Sequence, residues 1–314
     1  MADKLSDGIH TFQAGDNTLS YHITPSKKPN APLWVTQSIH WGPGRQVYVN
    51  TLAPILSKHY TVLDFSPRGN DESSRPKNAS GIDDPSAMSV THVTDDLESL
   101  RKYLSLEAFP ILAGHSLAGV SILLYASLYP TRVETLVPIA AGIFAGYDGT
   151  AVWNHFRDIR SSQPQWKSSY ERWATAKTNP PQTDEDFGQF LMDVLPSYLA
   201  DPEKSYAATV AGFEGSKMRL WCQRSYFGTM AGDQGLQGLY DLLKDVRAKR
   251  VLFVHGEEDM ACPVEAARVA EGRLRDGADG VEVLFEGLGG VGHFPWVEDG
   301  REFERVVFGG LGDE

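Results

Sequence analysis

The run Ile111-Leu112-Ala113-Gly114-His115-Ser116-Leu117-Ala118-Gly119 constrains this chain more than any other stretch. An apolar, strand-like segment runs straight into Gly-His-Ser-Leu-Ala-Gly, and a helix-like segment, Val120 to Tyr129, follows. A strand that becomes a helix within a few residues brings the two backbones almost into contact. The positions two before and two or three after the apex must therefore be small. Gly114, Ala118 and Gly119 meet that demand, with Ala118 where glycine is commoner. A serine at the apex has strained dihedrals and an exposed Oγ, as a nucleophile requires. A plain glycine-rich strand–helix turn would need the same small residues, but the strand before and the helix after favour the nucleophile.

A serine hydroxyl is a weak nucleophile at neutral pH and needs a histidine base oriented by an acid. On this kind of scaffold the order is serine, acid, histidine, each just after a strand. Arg250 to His255 is short, apolar and β-branched, and reads as a buried strand. It breaks at Gly256-Glu257-Glu258-Asp259, which makes Asp259 the candidate acid, with Glu257 and Glu258 as neighbours able to replace it. Pro263 suits the first turn of a following helix. Val281 to Glu286 alternates like a strand, and the glycine-rich loop Gly287 to Gly292 then delivers His293. Its neighbour Trp296 is expected near the entrance of the site.

Two further segments complete a pattern. His40-Trp41-Gly42-Pro43-Gly44 follows the apolar Leu33 to Gln37, and Asp64-Phe65-Ser66-Pro67-Arg68-Gly69-Asn70 follows Tyr60 to Leu63. With the turn at Ser116 and the end at Gly292-His293-Phe294-Pro295, the chain resembles the α/β-hydrolases. It is similar to the branch containing proline iminopeptidases and many small-molecule esterases and lactonases. The resemblance runs from about Gly8 to about Phe308 and is weak in the middle third. It implies a Ser116–His293–Asp259 triad and an oxyanion hole built from the Leu117 N–H and a loop N–H of Gly42, with Trp41 as the alternative. No cofactor and no metal is implied. His40 and Arg68 are expected to be structural, Arg68 in an ion pair, and His115 is expected to point into the scaffold.

The departures from the family pattern bear on substrate. Trp41 stands where glycine is usual, the arginine segment carries an extra residue and lacks its second glycine, and the turn lacks the Gly-Gly-Ser-Trp-Gly form of proline iminopeptidases. Ester or lactone cleavage on an apolar small molecule leads. An aminopeptidase of the iminopeptidase type is the alternative, and carbon–carbon cleavage, acyl transfer, cyclisation or a small-ligand receptor are readings of another class. An aminopeptidase needs acids at its site to hold the substrate amino group. Asp184, Glu185 and Asp186 instead look like a helix start after Thr183.

At 314 residues the chain has room for one large α/β domain with an insertion. Its net charge of −12 argues against nucleic acid and anionic membranes as partners. Cys222 and Cys262 lie in unrelated contexts, so no disulfide framework is expected. The start, Met1 to Asp7, is polar with no apolar stretch behind it, which gives the expectation of a cytoplasmic protein. Strands alternate with helices outside the middle of the chain, indicating a mostly parallel, doubly wound sheet. The resemblance implies about eight strands and an inserted helical cap. The core is expected at residues 1–146 and 234–314. The cap is expected at 147–233, a segment with no convincing strand and with aromatics that include Trp173, Phe187, Phe190, Tyr198 and Phe227.

Overall fold

Strands buried on both faces read as continuous apolar runs, and such runs build the centre of the sheet. In β3 (Leu33–Gln37) every residue is buried, and in β5 (Phe109–His115) every residue but Pro110. The computed structural model describes residues 2–143, 150–176 and 178–312. The expected boundary between 146 and 147 lies outside them. The remaining strands are β1 (Gly8–Ala14), β2 (Asn17–Thr24), β4 (Thr61–Ser66), β6 (Val133–Ile139), β7 (Arg250–Gly256) and β8 (Glu282–Leu288). They form one eight-stranded sheet in the order β1-β2-β4-β3-β5-β6-β7-β8. β1 and β2, and β2 and β4, pair antiparallel, and every other pair is parallel.

The strand order positions the site. From β3 the chain steps to one side for β4 and to the other for β5, so β3 and β5 are neighbours with diverging connections. At such a switch point the loops leave a crevice at the carboxyl ends of the strands. The loop after β3 carries Trp41 and Gly42, and the end of β5 carries Ser116. Gln37 lies in register with Gly114 across the pair.

One face of the sheet is covered by helices Val90–Tyr103, Leu117–Leu128 and Val264–Gly277, which pack into one large core cluster. Leu117–Leu128 is apolar all round, and all but Leu128 are buried, as its position against β5 and β6 demands. Helix Val90–Tyr103 begins under a Ser89 side-chain cap and ends with Arg101 and Lys102 in its last turn, where cations suit the helix dipole. The other face buries a second cluster with helix Gly300–Leu311. The segment 46–56 is helical but is not one regular α-helix. The chain instead winds a π-turn over Tyr48–Leu52 before an α-helical turn over Ala53–Leu56. Pro54 lacks the N–H that an α-helix would donate to Asn50, and the ladder widens just before it.

Between β6 and β7 the described residues are helical from Thr150 to Asp245, with no strand among them. Thr183 and Asp186 form a reciprocal cap on helix Asp184–Val194, as the acids after Thr183 suggested. Among the described residues, no helix is long and apolar enough to cross a membrane.

The turn at Ser116 rests on contact distances. A Cβ placed on Gly114 would lie 2.4 Å from the Ala118 carbonyl oxygen, so no side chain fits there. Gly114→Ala is expected to destabilise the fold by about 3 kcal/mol or more, because backbone rather than a side chain must yield. A shift in the urea midpoint below about 1 kcal/mol would refute that reading.

Candidate active site

Ser116 adopts φ 56° and ψ −129°, a left-handed conformation unusual for a residue with a side chain. Such strain costs about 1–3 kcal/mol and persists only where surroundings fix it. Here its N–H donates to the Ile139 carbonyl at 3.0 Å. Its own carbonyl accepts from Gly119 at 3.0 Å and Gly142 at 2.9 Å. The side chain is thereby delivered to the wall of a cavity of about 490 Å³.

Asp259 and His293 meet from the loops after β7 and β8. His293 Nδ1 donates to Asp259 Oδ2 at 2.7 Å, and both residues are buried. The other oxygen, Oδ1, accepts the N–H groups of Ala261 at 2.8 Å and Cys262 at 2.9 Å, which locks the carboxylate in its own turn. Glu257 and Glu258 are exposed, so Asp259 alone of the three acids reaches His293. The two loops approach closely: a Cβ on Gly256 would lie 2.1 Å from the Gly292 carbonyl oxygen. Burial pushes His293 down to about 3, so its imidazole rests neutral. Burial pushes Asp259 up to about 7, against the pull of His255 and its two N–H donors.

Several supporting groups carry no sequence motif. Glu298, buried beyond His293, accepts N–H bonds from Ala200 at 2.8 Å, Gly292 at 3.0 Å and Phe294 at 3.0 Å, which pins the histidine loop on both sides. The His293 N–H donates to the Tyr198 carbonyl at 2.9 Å. His115 donates from Nε2 to the His293 carbonyl at 2.8 Å and accepts from the Tyr48 hydroxyl at 3.1 Å, so it points into the scaffold. His255 donates to the Cys262 carbonyl at 2.7 Å and stands 3.8 Å from Asp259 Oδ2. Arg160, buried between the Phe156 and Trp166 rings, reaches the Glu258 carbonyl at 3.1 Å and ties the acid loop to the helical segment. Ser116 Oγ has one hydrogen-bonding neighbour among the described residues, the Cys262 thiol at 3.8 Å.

The loop after β3 is clamped from two sides. Asn70 Nδ2 donates to the His40 carbonyl at 2.9 Å, and Arg219 N–H donates to the Gly42 carbonyl at 3.0 Å. Gly42 has φ 120°, and a Cβ there would lie 2.5 Å from the Arg219 carbonyl oxygen. The N–H groups of Trp41, Gly42 and Leu117 have no acceptor among the described residues. The Trp41 ring packs edge-on to Phe187, with centroids 6.0 Å apart, and lines the cavity. His40 is buried and held neutral, pushed down to about 3 by burial. Arg68 forms a buried ion pair with Asp96 at 2.6 Å.

The cavity wall is largely apolar, with Trp173, Phe187, Phe190, Tyr198 and Phe227 from the helical segment; Gln223 and Arg224 add polar side chains, and there is no carboxylate among its described residues. Trp166 and Tyr170 instead pack with Met260 in a small core of their own. Trp296 is not at the entrance. Helix Pro295–Glu298 turns it inward, where Nε1 donates to Thr51 Oγ1 at 2.8 Å and the ring packs on Tyr48 and His115. Among the described residues, Asp259, Cys262 and His293 form a group of side chains that could hold a metal ion.

Residues 40–299 match the model of the alpha/beta hydrolase fold family. A search of curated proteins found no match in sequence. Among solved structures, an enol-lactonase from Burkholderia xenovorans LB400 aligns over 96% of this chain and 100% of its own, at 16% identity and a TM-score of 0.63. A 2-hydroxy-6-oxo-6-phenylhexa-2,4-dienoate hydrolase from Rhodococcus sp. strain RHA1 aligns over 98% and 100%, at 16% identity and 0.66. An esterase from Rhodococcus sp. ECU1013 aligns over 97% and 98%, at 18% identity and 0.65. At these identities the likeness is one of fold.

Proposed function

The chain belongs to the alpha/beta hydrolase fold family, and on that premise we propose that it is a serine hydrolase cleaving an ester or lactone bond of an apolar small molecule. The observation that carries this reading is a strained Ser116 on the wall of a largely apolar cavity, its Oγ 3.8 Å from the thiol of Cys262, which lies within 4.8 Å of the buried, hydrogen-bonded Asp259–His293 pair. Residues 147–233 act as the cap, and its aromatics hold the substrate's apolar body.

His293, neutral at rest, takes the Ser116 proton as Oγ attacks the carbonyl carbon. Asp259 keeps the Nδ1–H tautomer and stabilises the imidazolium. The developing oxyanion is received by the Leu117 N–H and by that of Gly42 or Trp41. Each such donor is typically worth about 10²–10³ in rate. The imidazolium returns its proton to the leaving alkoxide, and the acyl group stays on Ser116. Water, deprotonated by His293, then attacks the acyl carbonyl and releases the acid.

The lack of carboxylates on the cavity wall favours esters over amino-acyl substrates, because a buried ammonium would have no partner there. In a panel of aryl esters, alkyl esters, lactones and amino-acyl amides, apolar esters or lactones are expected to exceed amino-acyl amides in kcat/KM by about 10²-fold or more. Faster turnover of a prolyl amide would overturn the substrate class. Absence of fluorophosphonate labelling on folded protein would overturn the serine mechanism.

A further inference from the structure

Cys262 is a buried nucleophilic group that the mechanism above does not use. We propose that Cys262, His293 and Ser116 form a site for a thiophilic divalent cation, Zn²⁺ above all, whose binding silences the hydrolase. The ion would be a reversible inhibitor, not a cofactor.

Four geometric facts carry the proposal. The Cys262 sulfur, a ring nitrogen of His293 and a carboxylate oxygen of Asp259 all lie within 4.8 Å of one another. The Cys262 sulfur also stands 3.8 Å from Ser116 Oγ. Tetrahedral zinc with bonds of about 2.3 Å to sulfur and about 2.0 Å to oxygen separates those two atoms by roughly 3.5 Å, so a small adjustment brings both onto one ion. Asp259 accepts from His293 Nδ1 at 2.7 Å. That is the carboxylate–histidine arrangement that fixes a metal-binding imidazole and leaves Nε2 as the ligand atom. Cys262 and Ser116 both line the cavity, which gives the ion and its water a route in.

The chemistry selects the ion. A cysteine sulfur and a histidine nitrogen are the donor set that thiophilic borderline ions such as Zn²⁺ prefer. Mg²⁺ and Ca²⁺ prefer oxygen and do not qualify. Once bound, Zn²⁺ is balanced by the Cys262 thiolate and the Asp259 carboxylate, so the buried cluster carries no net charge and its burial cost falls. The silencing, unlike the binding, rests on the serine-hydrolase reading: the ion occupies the Nε2 lone pair that must accept the proton and the Oγ that must attack. Cys222 is an internal control. It is buried too, but its thiol donates to the Gly69 carbonyl at 3.1 Å and it belongs to no such cluster among the described residues.

Titration with Co²⁺ followed by absorption reads the site without reference to activity. Wild type, Ser116→Ala and Cys222→Ser are expected to develop the thiolate-to-cobalt charge-transfer band in the near ultraviolet, and Cys262→Ser and Cys262→Ala are not. In parallel, Zn²⁺ is expected to inhibit wild type reversibly, with recovery on adding EDTA. The half-inhibiting concentration should rise about 100-fold or more in both Cys262 variants, since loss of a ligand exceeds the cost of losing a supporting partner. Equal zinc sensitivity of wild type and the Cys262 variants would overturn the proposal, as would a wild type without the band. That wild-type test decides even where the Cys262 variants do not fold. A fully active Ser116→Ala that still shows the band would instead overturn the hydrolase reading and leave the metal site standing.

Discussion

Ser116→Ala is expected to lower kcat by about 10⁶-fold and to leave the fold in place. The size of the loss follows from the division of labour at the site. On the proposed mechanism His293 and Asp259 act only through the proton on Oγ, so removing Oγ removes all three contributions together. What survives is the oxyanion hole and the cavity, together worth about 10³–10⁴ over water. The small effect on folding follows from the contacts. Ser116 Oγ touches one hydrogen-bonding neighbour among the described residues, a thiol at 3.8 Å, so alanine strands no well-bonded buried partner. The backbone strain at φ 56° is fixed by main-chain bonds that alanine keeps. A change in stability within about 1 kcal/mol is therefore expected. Kinetics on an activated ester beside a urea melt checks both halves. A variant with a tenth of wild-type activity would remove Ser116 from the mechanism.

The parts of this site legible in sequence are those fixed by neighbours along the chain. The turn at Ser116 announced itself through Gly114 and Gly119, because close approach of strand and helix is a local demand. Asp259 and His293 each follow a strand whose residue pattern is local as well. Asp259 was the expected acid, with Glu257 and Glu258 as neighbours able to replace it; of the three it is the short Asp259 carboxylate that accepts the N–H groups of residues 261 and 262 in its own turn. Other features depend on partners far away in sequence. Glu298 works by accepting backbone N–H bonds, one of them from Ala200, and no pattern at Pro295-Trp296-Val297-Glu298 signals that. The clamp of Arg219 on Gly42 and the bond of Tyr198 to His293 need the helical segment docked, which periodicity does not supply. Trp296 was misread because nearness to His293 in sequence says nothing about direction. The short helix Pro295–Glu298 rotates the ring away from the cavity and into the core beside Phe303.

Asp259→Asn is expected to lower kcat by about 10⁴-fold, the cost of losing the imidazole tautomer and the charge that stabilises the imidazolium. Its effect on stability should have the opposite sign. Burial raises the Asp259 carboxyl from 3.8 to about 7 in the folded protein. A carboxyl with a raised folded-state value binds its proton more tightly folded than unfolded. Its ionisation therefore costs stability progressively as pH rises from about 4 through about 7. Asparagine carries no such charge and still offers an oxygen to the Ala261 and Cys262 N–H groups. The melting temperature of the variant relative to wild type should thus rise between pH 5 and pH 8, where the carboxylate is fully ionised. The same proton accounts for the rate. His293, held neutral by burial, contributes no charge over this range, so the pair takes up its proton near pH 7 and wild-type kcat/KM falls below that point. Melts at the two pH values and a pH–rate profile test the argument together. A melting advantage for the variant that shrinks towards pH 8 would show that Asp259 is ionised without cost. The charge that orients His293 would then be stabilising the fold rather than straining it.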